Sequence, residues 1–331
     1  MRPLHAIEVT QTGGPDVLAY VERPRPSPGP GEVLIESAAI GVNFIDTYYR
    51  SGSYPHDLPF VVGTEVCGTV AEVGPGVMRF QVGDRVVSAD AIGAYAEYCL
   101  APIDLVALVP DGVASEVAAA ALLKGLTAHF LIHSVYQVQS GDTVLLHAGA
   151  GGVGLILTQW ATNLGARVIT TASTPQKAEL SRHAGAVEVL DYPAQTETGP
   201  AEFGRAVRAL TGGNGVAAVY DGVGKSTFDA SLASLAIRGT LALFGAASGP
   251  VPPMDPQRLN AAGSVYLTRP SRVHFNRTYD EFSWRAGELF DAVGSGTVVV
   301  TVGERYALKD AAQAHRDLEG RKTHGSTVLT P

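Results

Sequence analysis

The sequence predicts an α/β chain in two parts, a small β domain followed by a parallel sheet with helices on both faces. Three observations carry this. Short alternating strands punctuated by glycine and proline fill the first third; from Ser115 onward apolar strands alternate with helices; and 331 residues are about right for two domains. Hydrophobic residues make up 46% of the chain and charged residues only 17%, the composition of a well-buried globular protein rather than a disordered one.

The β part begins with Val33–Ile40, which alternates loosely. Gly68–Gly74 follows as a strand closed by the turn Gly74-Pro75-Gly76. Gly83-Asp84 turns the chain into Arg85–Ser88, and Ala94–Cys99 alternates again. Several short strands at this spacing suggest a small barrel. Ser115 is placed to cap a helix starting at Glu116. Thr143–His147 is an apolar strand, followed by a glycine loop and a helix over Val153–Leu164. Arg167–Ala172 is the next strand, and Pro175 opens another helix at its first position. Val187–Leu190, Val216–Tyr220 and Thr240–Phe244 continue the series. Continuous apolar strands separated by helices belong in a parallel sheet buried on both faces. Beyond about Arg272, helices are expected at Tyr279–Val293 and Lys309–Leu318.

Composition excludes several classes. Thirty-two acids against 24 bases give a net charge of −8, so the surface repels phosphate backbones and nucleic acid is a poor partner. Cys67 and Cys99 are the two cysteines, too few for a four-cysteine zinc site, and a reducing cytoplasm fits them best. Met1–His5 carries one arginine with no apolar run behind it, so no signal peptide is expected. The longest apolar stretch, Val117–Leu123, is short of a membrane span.

The strongest local signal is Gly149-Ala150-Gly151-Gly152-Val153-Gly154, a G-x-G-x-x-G placed between a strand and a helix. Glycines let the backbone approach a pyrophosphate whose charge the helix N-terminus stabilises; a bare glycine loop would otherwise only close a turn. A dinucleotide site that takes NAD places an acid about twenty residues further on, at the ribose 2′-hydroxyl. Here no acid lies between Gly154 and Ala178. Ser173, Thr174 and Lys177 stand at the end of the second strand, and a hydroxyl with a cation suits the 2′-phosphate of NADPH. The plainer reading of Lys177 is a solvated surface residue.

Zinc catalysis would require Cys, His and a further Cys or acid in one cleft. Cys67 and Cys99 both sit in apolar strand patterns, and no histidine forms a metal-like pair with either. The polar and aromatic segment Gly41–Pro55 follows a strand. Asn43, Tyr48 and Tyr54 are candidates for a pocket that accepts a flat ring; a helix with surface tyrosines accounts for them equally well.

Taken together, Asn43–Tyr54, Gly63-Thr64-Glu65, Lys124-Gly125-Leu126-Thr127-Ala128 and His147–Gly154 resemble the quinone oxidoreductases, the zinc-free, ζ-crystallin-like branch of the medium-chain dehydrogenase/reductases. Tyr266–Pro270 and Leu318-Glu319-Gly320-Arg321 resemble the bacterial members in particular. The likeness spans nearly the whole chain. Zinc-dependent relatives have a histidine ligand where this chain has Thr64. The resemblance implies a GroES-like β-barrel domain over 1–124, a Rossmann NADPH-binding domain over 125–271, and a segment 272–331 packing back on the first. It implies NADPH contacts at Asn43, Lys124, Thr127, Gly151, Gly152, Val153, Ser173, Lys177, Tyr192, Gly222, Phe244, Gly245, Ala246, Ala247, Tyr266, Leu267, Thr268 and Arg321. Gly222 departs from the side-chain hydroxyl often found there, and His129-Phe130 from a tyrosine.

The implied activity is metal-free, NADPH-dependent reduction of quinones in the cytoplasm by a homodimer joined through its Rossmann sheet edges, around Ser264–Thr268. Asn43, Tyr48 and Tyr54 would wall the quinone, and either tyrosine would donate a proton or only stack. The alternatives are reduction of the double bond of enals or enones, and a non-catalytic role in binding NADPH or RNA. The −8 charge argues against RNA.

Overall fold

A computed structural model describes residues 3–331; Met1 and Arg2, the start of the segment read for a signal peptide, lie outside them. The chain divides into two compact units. Among the described residues, one comprises those up to Leu126 with Asn276–Gly296 and Val300–Pro331, the other Thr127–Phe275 and Thr297–Val299.

In the first unit a seven-stranded sheet runs in the order Val302–Ala307, Ser326–Thr330, Glu32–Val42, Glu65–Val73, Arg85–Ser88 and Val106–Leu108, with Tyr98–Pro102 also on Glu32–Val42. A three-stranded sheet places Leu4–Val9 between Ala19–Arg23 and Phe60–Val61. Because Ser326–Thr330 pairs antiparallel with Glu32–Val42, the last strand of the chain completes the first domain's sheet. Alternating inward residues such as Val33, Ile35, Ile40, Val66, Val70 and Val86 form the core with Ile7 and Leu329. Each such side chain contributes about 1.5–3 kcal/mol on burial.

The second unit is a six-stranded parallel sheet. Its order is Glu188–Leu190, Arg167–Thr171, Thr143–Leu146, Val216–Asp221, Leu235–Leu243 and Tyr266–Thr268, every neighbouring pair parallel. Numbered along the chain this is 3-2-1-4-5-6, the doubly wound dinucleotide-binding topology, with its switch point between Thr143–Leu146 and Val216–Asp221. Leu145, Ile169, Val219 and Leu241 supply the core. The helices Gly152–Asn163, Pro175–His183, Gly199–Leu210 and Phe228–Ser234 connect the strands.

Two sequence expectations change. Ala94–Cys99 is not a strand; pairing with Glu32–Val42 begins at Tyr98. The alternation there reflects Tyr95 turned into the core, fully buried, rather than a pleat. The apolar run at Val117–Leu123 belongs to a helix Ser115–Phe130 that continues through a wider turn to Val135. Those 21 residues are long and apolar enough to cross a membrane, but most of them are buried inside the fold, as in a core helix.

Candidate active site

In the second unit the site is built at the carboxyl ends of the central strands. Thr143–Leu146 ends in His147 and Ala148, and Ala148 takes a left-handed backbone with φ 59°. A Cβ on Gly149 would lie 2.5 Å from Ser181 Oγ and Thr170 Cβ, and one on Gly154 would strike the Ala148 carbonyl. These two glycines are therefore required by packing. Gly151 differs: a Cβ there would meet only the Ala148 oxygen, at 3.3 Å. It caps the helix Gly152–Asn163, so the amides of Gly152 and Val153 open that helix where a pyrophosphate would be stabilised. On the other side of the switch point Gly222 lies so close to the Phe244 ring that a Cβ would sit 2.8 Å from it. This brings Gly222 together with Phe244, Gly245, Ala246 and Ala247.

Ser173 follows the strand Arg167–Thr171, and Thr174 caps the helix Pro175–His183 by accepting the Lys177 backbone N–H at 3.2 Å. That places Ser173 on the surface and Lys177, half-buried, in the first turn of that helix. No carboxylate occurs in the sequence between Gly154 and Ala178. Tyr192 lies over His147, with ring centroids 6.3 Å apart. Thr127 is buried, while Tyr266, Leu267 and Thr268 form the edge strand, with Tyr266 63% exposed. The edge strand pairs with Leu235–Leu243, Thr268 opposite Ala242, and so lies beside the strand that leads into Phe244–Ala247 while standing two strands away from Val216–Asp221.

In the first unit the strand Glu32–Val42 delivers Asn43 to the start of the helix Phe44–Ser51. Asn43 Nδ2 donates to Glu65 Oε2 at 2.8 Å, and its Oδ1 accepts from Lys124 Nζ at 2.7 Å. Lys124 also pairs with Glu65 Oε2 at 2.9 Å, and the Leu123 N–H donates to Glu65 Oε1 at 2.7 Å. All three side chains are buried. Gly41 makes room, because a Cβ there would strike the Glu65 carboxylate. Thr64 beside it has a buried hydroxyl with no hydrogen-bond partner among the described residues.

A second buried chain starts one residue group away. Asp46 Oδ2 accepts the Asn43 backbone N–H at 2.8 Å and the Tyr95 hydroxyl at 3.0 Å. His315 Nε2 lies 3.1 Å from that hydroxyl, and Arg50 Nη1 lies 3.0 Å from His315 Nδ1. A guanidinium only donates, so Nδ1 accepts and the imidazole proton sits on Nε2. Arg50 closes the chain on both carboxylate oxygens of Glu319, at 3.0 and 2.7 Å. Burial pushes Asp46 up to about 7, against the Asn43 and Tyr95 hydrogen bonds and Lys124. Burial and then the Arg50 charge push His315 down to about 3.

Tyr48 and Tyr54 stand together, ring centroids 5.2 Å apart, and Tyr49 meets Tyr54 edge-on at 5.8 Å. Asn43 and Lys124 are joined directly. Arg321 follows the last helix, Ala311–Glu319, in a left-handed conformation. Sequence reading missed Glu65, Asp46, Tyr95 and His315 as partners. The available signal was Glu65 heading the apolar strand Glu65-Val66-Cys67, since an acid buried there needs a counter-charge.

Known proteins resemble this chain throughout its length. The family model "Alcohol dehydrogenase GroES-like domain" matches residues 29–111, and "Zinc-binding dehydrogenase" matches residues 152–285. A quinone oxidoreductase of Salmonella typhimurium is 46% identical over 329 residues, 98% of this chain and 99% of that protein. A 2-haloacrylate reductase of a Burkholderia species is 42% identical over 335 residues, covering 98% of each. Among solved structures, a mycobacterial protein complexed with NADPH is 70% identical, with a TM-score of 0.97 over 99% of this chain and 100% of that one.

Proposed function

We propose that this chain, which belongs to the quinone oxidoreductase family of the medium-chain dehydrogenase/reductases, reduces quinones by hydride transfer from NADPH and needs no metal to do so. The observation that carries the reading is the glycine loop at the topological switch point, followed by a strand end with Ser173, Thr174 and Lys177 and no carboxylate. Gly151 puts no side chain beside the helix N-terminus, and Lys177 offers a cation, so these residues fit a dinucleotide that carries a 2′-phosphate. When bound, the nicotinamide supplies a hydride from its C4.

The protein's share is positioning and charge. Gly152 and Val153 would hold the pyrophosphate by their amides, Ser173, Lys177 and Tyr192 the 2′-phosphate end, and the Gly222 and Phe244–Ala247 loops with Tyr266–Thr268 the nicotinamide end. On the quinone side, Asn43 cannot rotate freely, because Glu65 and Lys124 use opposite ends of its amide. Lys124 supplies a fixed cation against Glu65, so that buried carboxylate is neutralised without a metal. Tyr48 and Tyr54 offer a wall of two tilted rings, interplanar angle 55°, with hydroxyls. The test is steady-state turnover of a simple benzoquinone with NADPH and with NADH. Strong preference for NADPH supports the reading; equal use of both overturns the assignment of the second strand.

A second reading, reduction of an activated carbon–carbon double bond, has the 2-haloacrylate reductase relative in its favour. It needs the same stabilisation of negative charge on a conjugated oxygen, and parallel turnover of alkenals and quinones separates the two. We also assign the protein as a cytoplasmic homodimer. The unpaired edge strand Tyr266–Thr268, with Tyr266 and Leu267 exposed, supports pairing with a second copy, and two free cysteines support a reducing compartment.

A further inference from the structure

Beneath the glycine loop runs a buried polar chain that the dinucleotide fingerprint does not require. His147, fully enclosed, precedes Ala148 directly. Its Nδ1 lies 3.1 Å from Thr171 Oγ1, and its Nε2 lies 3.0 Å from Ser231 Oγ. Thr171 Oγ1 also accepts the Ala148 backbone N–H at 3.2 Å, while Ser231 Oγ donates to Asp221 Oδ2 at 2.7 Å. The directions follow from counting protons. Ser231 spends its single proton on Asp221, so it accepts from His147, and the imidazole carries hydrogen on Nε2. Nδ1 then takes the Thr171 proton, which leaves the Thr171 oxygen turned toward the Ala148 amide. Burial pushes the His147 pKa down, with Asp221 opposing, which keeps the ring neutral as this pattern demands.

The chain joins both banks of the switch point. Asp221 Oδ1 also accepts the Val223 and Gly224 amides, at 2.8 and 2.9 Å, and so shapes the turn after Gly222. On the other bank, Thr171 fixes the amide of Ala148, an L-residue held at φ 59°, where only glycine is at ease. The face of the same imidazole supports Tyr192, interplanar angle 18°.

We propose that His147 is a positioning residue for the dinucleotide: through Thr171 it sets the Ala148 peptide that opens the glycine loop, and through its ring face it seats Tyr192. The proposal rests on the reading of the glycine loop as the NADPH site. Thr171→Val removes the hydroxyl at constant volume, Thr171→Ser retains it, and His147→Gln keeps a donor toward Ser231 while losing the ring that faces Tyr192. Binding of NADPH and of adenosine 2′-monophosphate, which lacks the pyrophosphate, is measured by titration calorimetry, with kcat at saturating NADPH alongside. T171V should weaken NADPH about tenfold, with adenosine 2′-monophosphate unchanged and kcat within about twofold. H147Q should weaken both ligands, and T171S should keep parental affinity. NADPH affinity in T171V within about twofold of the parent overturns the inference alone, as does equal weakening of both ligands by T171V. Failure of the parent to bind NADPH overturns the functional reading and this inference with it.

Discussion

Replacing His315 by glutamine should uncover a pH dependence that the parent protein hides. Asp46 stands at about 7 against an ordinary 3.8, and His315 at about 3 against an ordinary 6.5. Between pH 3.8 and 7 the unfolded chain has released the Asp46 proton while the folded chain keeps it, so this group makes stability fall as pH rises. Between pH 3 and 6.5 the unfolded chain protonates His315 while the folded chain does not, so this group makes stability rise. Each slope is about 1.4 kcal/mol per pH unit, and from about pH 4 to 6.5 the two cancel. His315→Gln removes the rising slope and Asp46→Asn the falling one. Over two pH units each variant should drift from the parent by roughly 3 kcal/mol, in opposite directions. Other carboxylates contribute equally to all three proteins and drop out of the differences. Trp284 lies in the same unit as this network and Trp160 in the other, so Trp160→Phe leaves a reporter on the right unit. Urea unfolding followed by Trp284 fluorescence at about pH 4.5 and 6.5 gives the comparison. Parallel pH profiles for the two variants would refute the opposed titrations.

Lys177→Ala should raise the KM for NADPH while leaving NADH nearly unchanged, because only the 2′-phosphate contact is lost; equal effects on both cofactors would count against that contact. Tyr48→Phe and Tyr54→Phe are each expected to keep kcat within about threefold of the parent, since a quinol oxyanion is stable enough to take its proton from water; a loss of about ten- to a thousandfold in either would instead identify the proton donor. Dialysis against a strong chelator should leave turnover intact, and activity that returns only with added zinc would sink the metal-free assignment. Sedimentation should give a species of twice 34.5 kDa; a stable monomer at micromolar concentration would contradict pairing through Tyr266–Thr268.

The parts of this protein that were legible in its sequence are those written locally. Strand–helix alternation from Thr143 to Phe244 and the glycine positions of 149–154 lie within a few residues of what they control, and so the parallel sheet and its loop could be read directly. The first unit was harder, since its sheet takes strands from both ends of the chain, and Tyr95 imitates a strand by alternation while acting as a buried hydroxyl between Asp46, 49 residues before it, and His315, 220 residues after it. Glu65 marks the boundary between the two cases. Its place at the head of an apolar strand requires a partner, because an unpaired carboxylate there would cost several kcal/mol or take up a proton. The chain offers 24 lysines and arginines, and local pattern does not say which one answers. Lys124 comes 59 residues later and meets Glu65 only once the helix Ser115–Phe130 has packed beside that strand. A demand for charge can thus be read from a short window of sequence, whereas its supply is decided by packing, and the Asn43–Glu65–Lys124 cluster exists where the two meet.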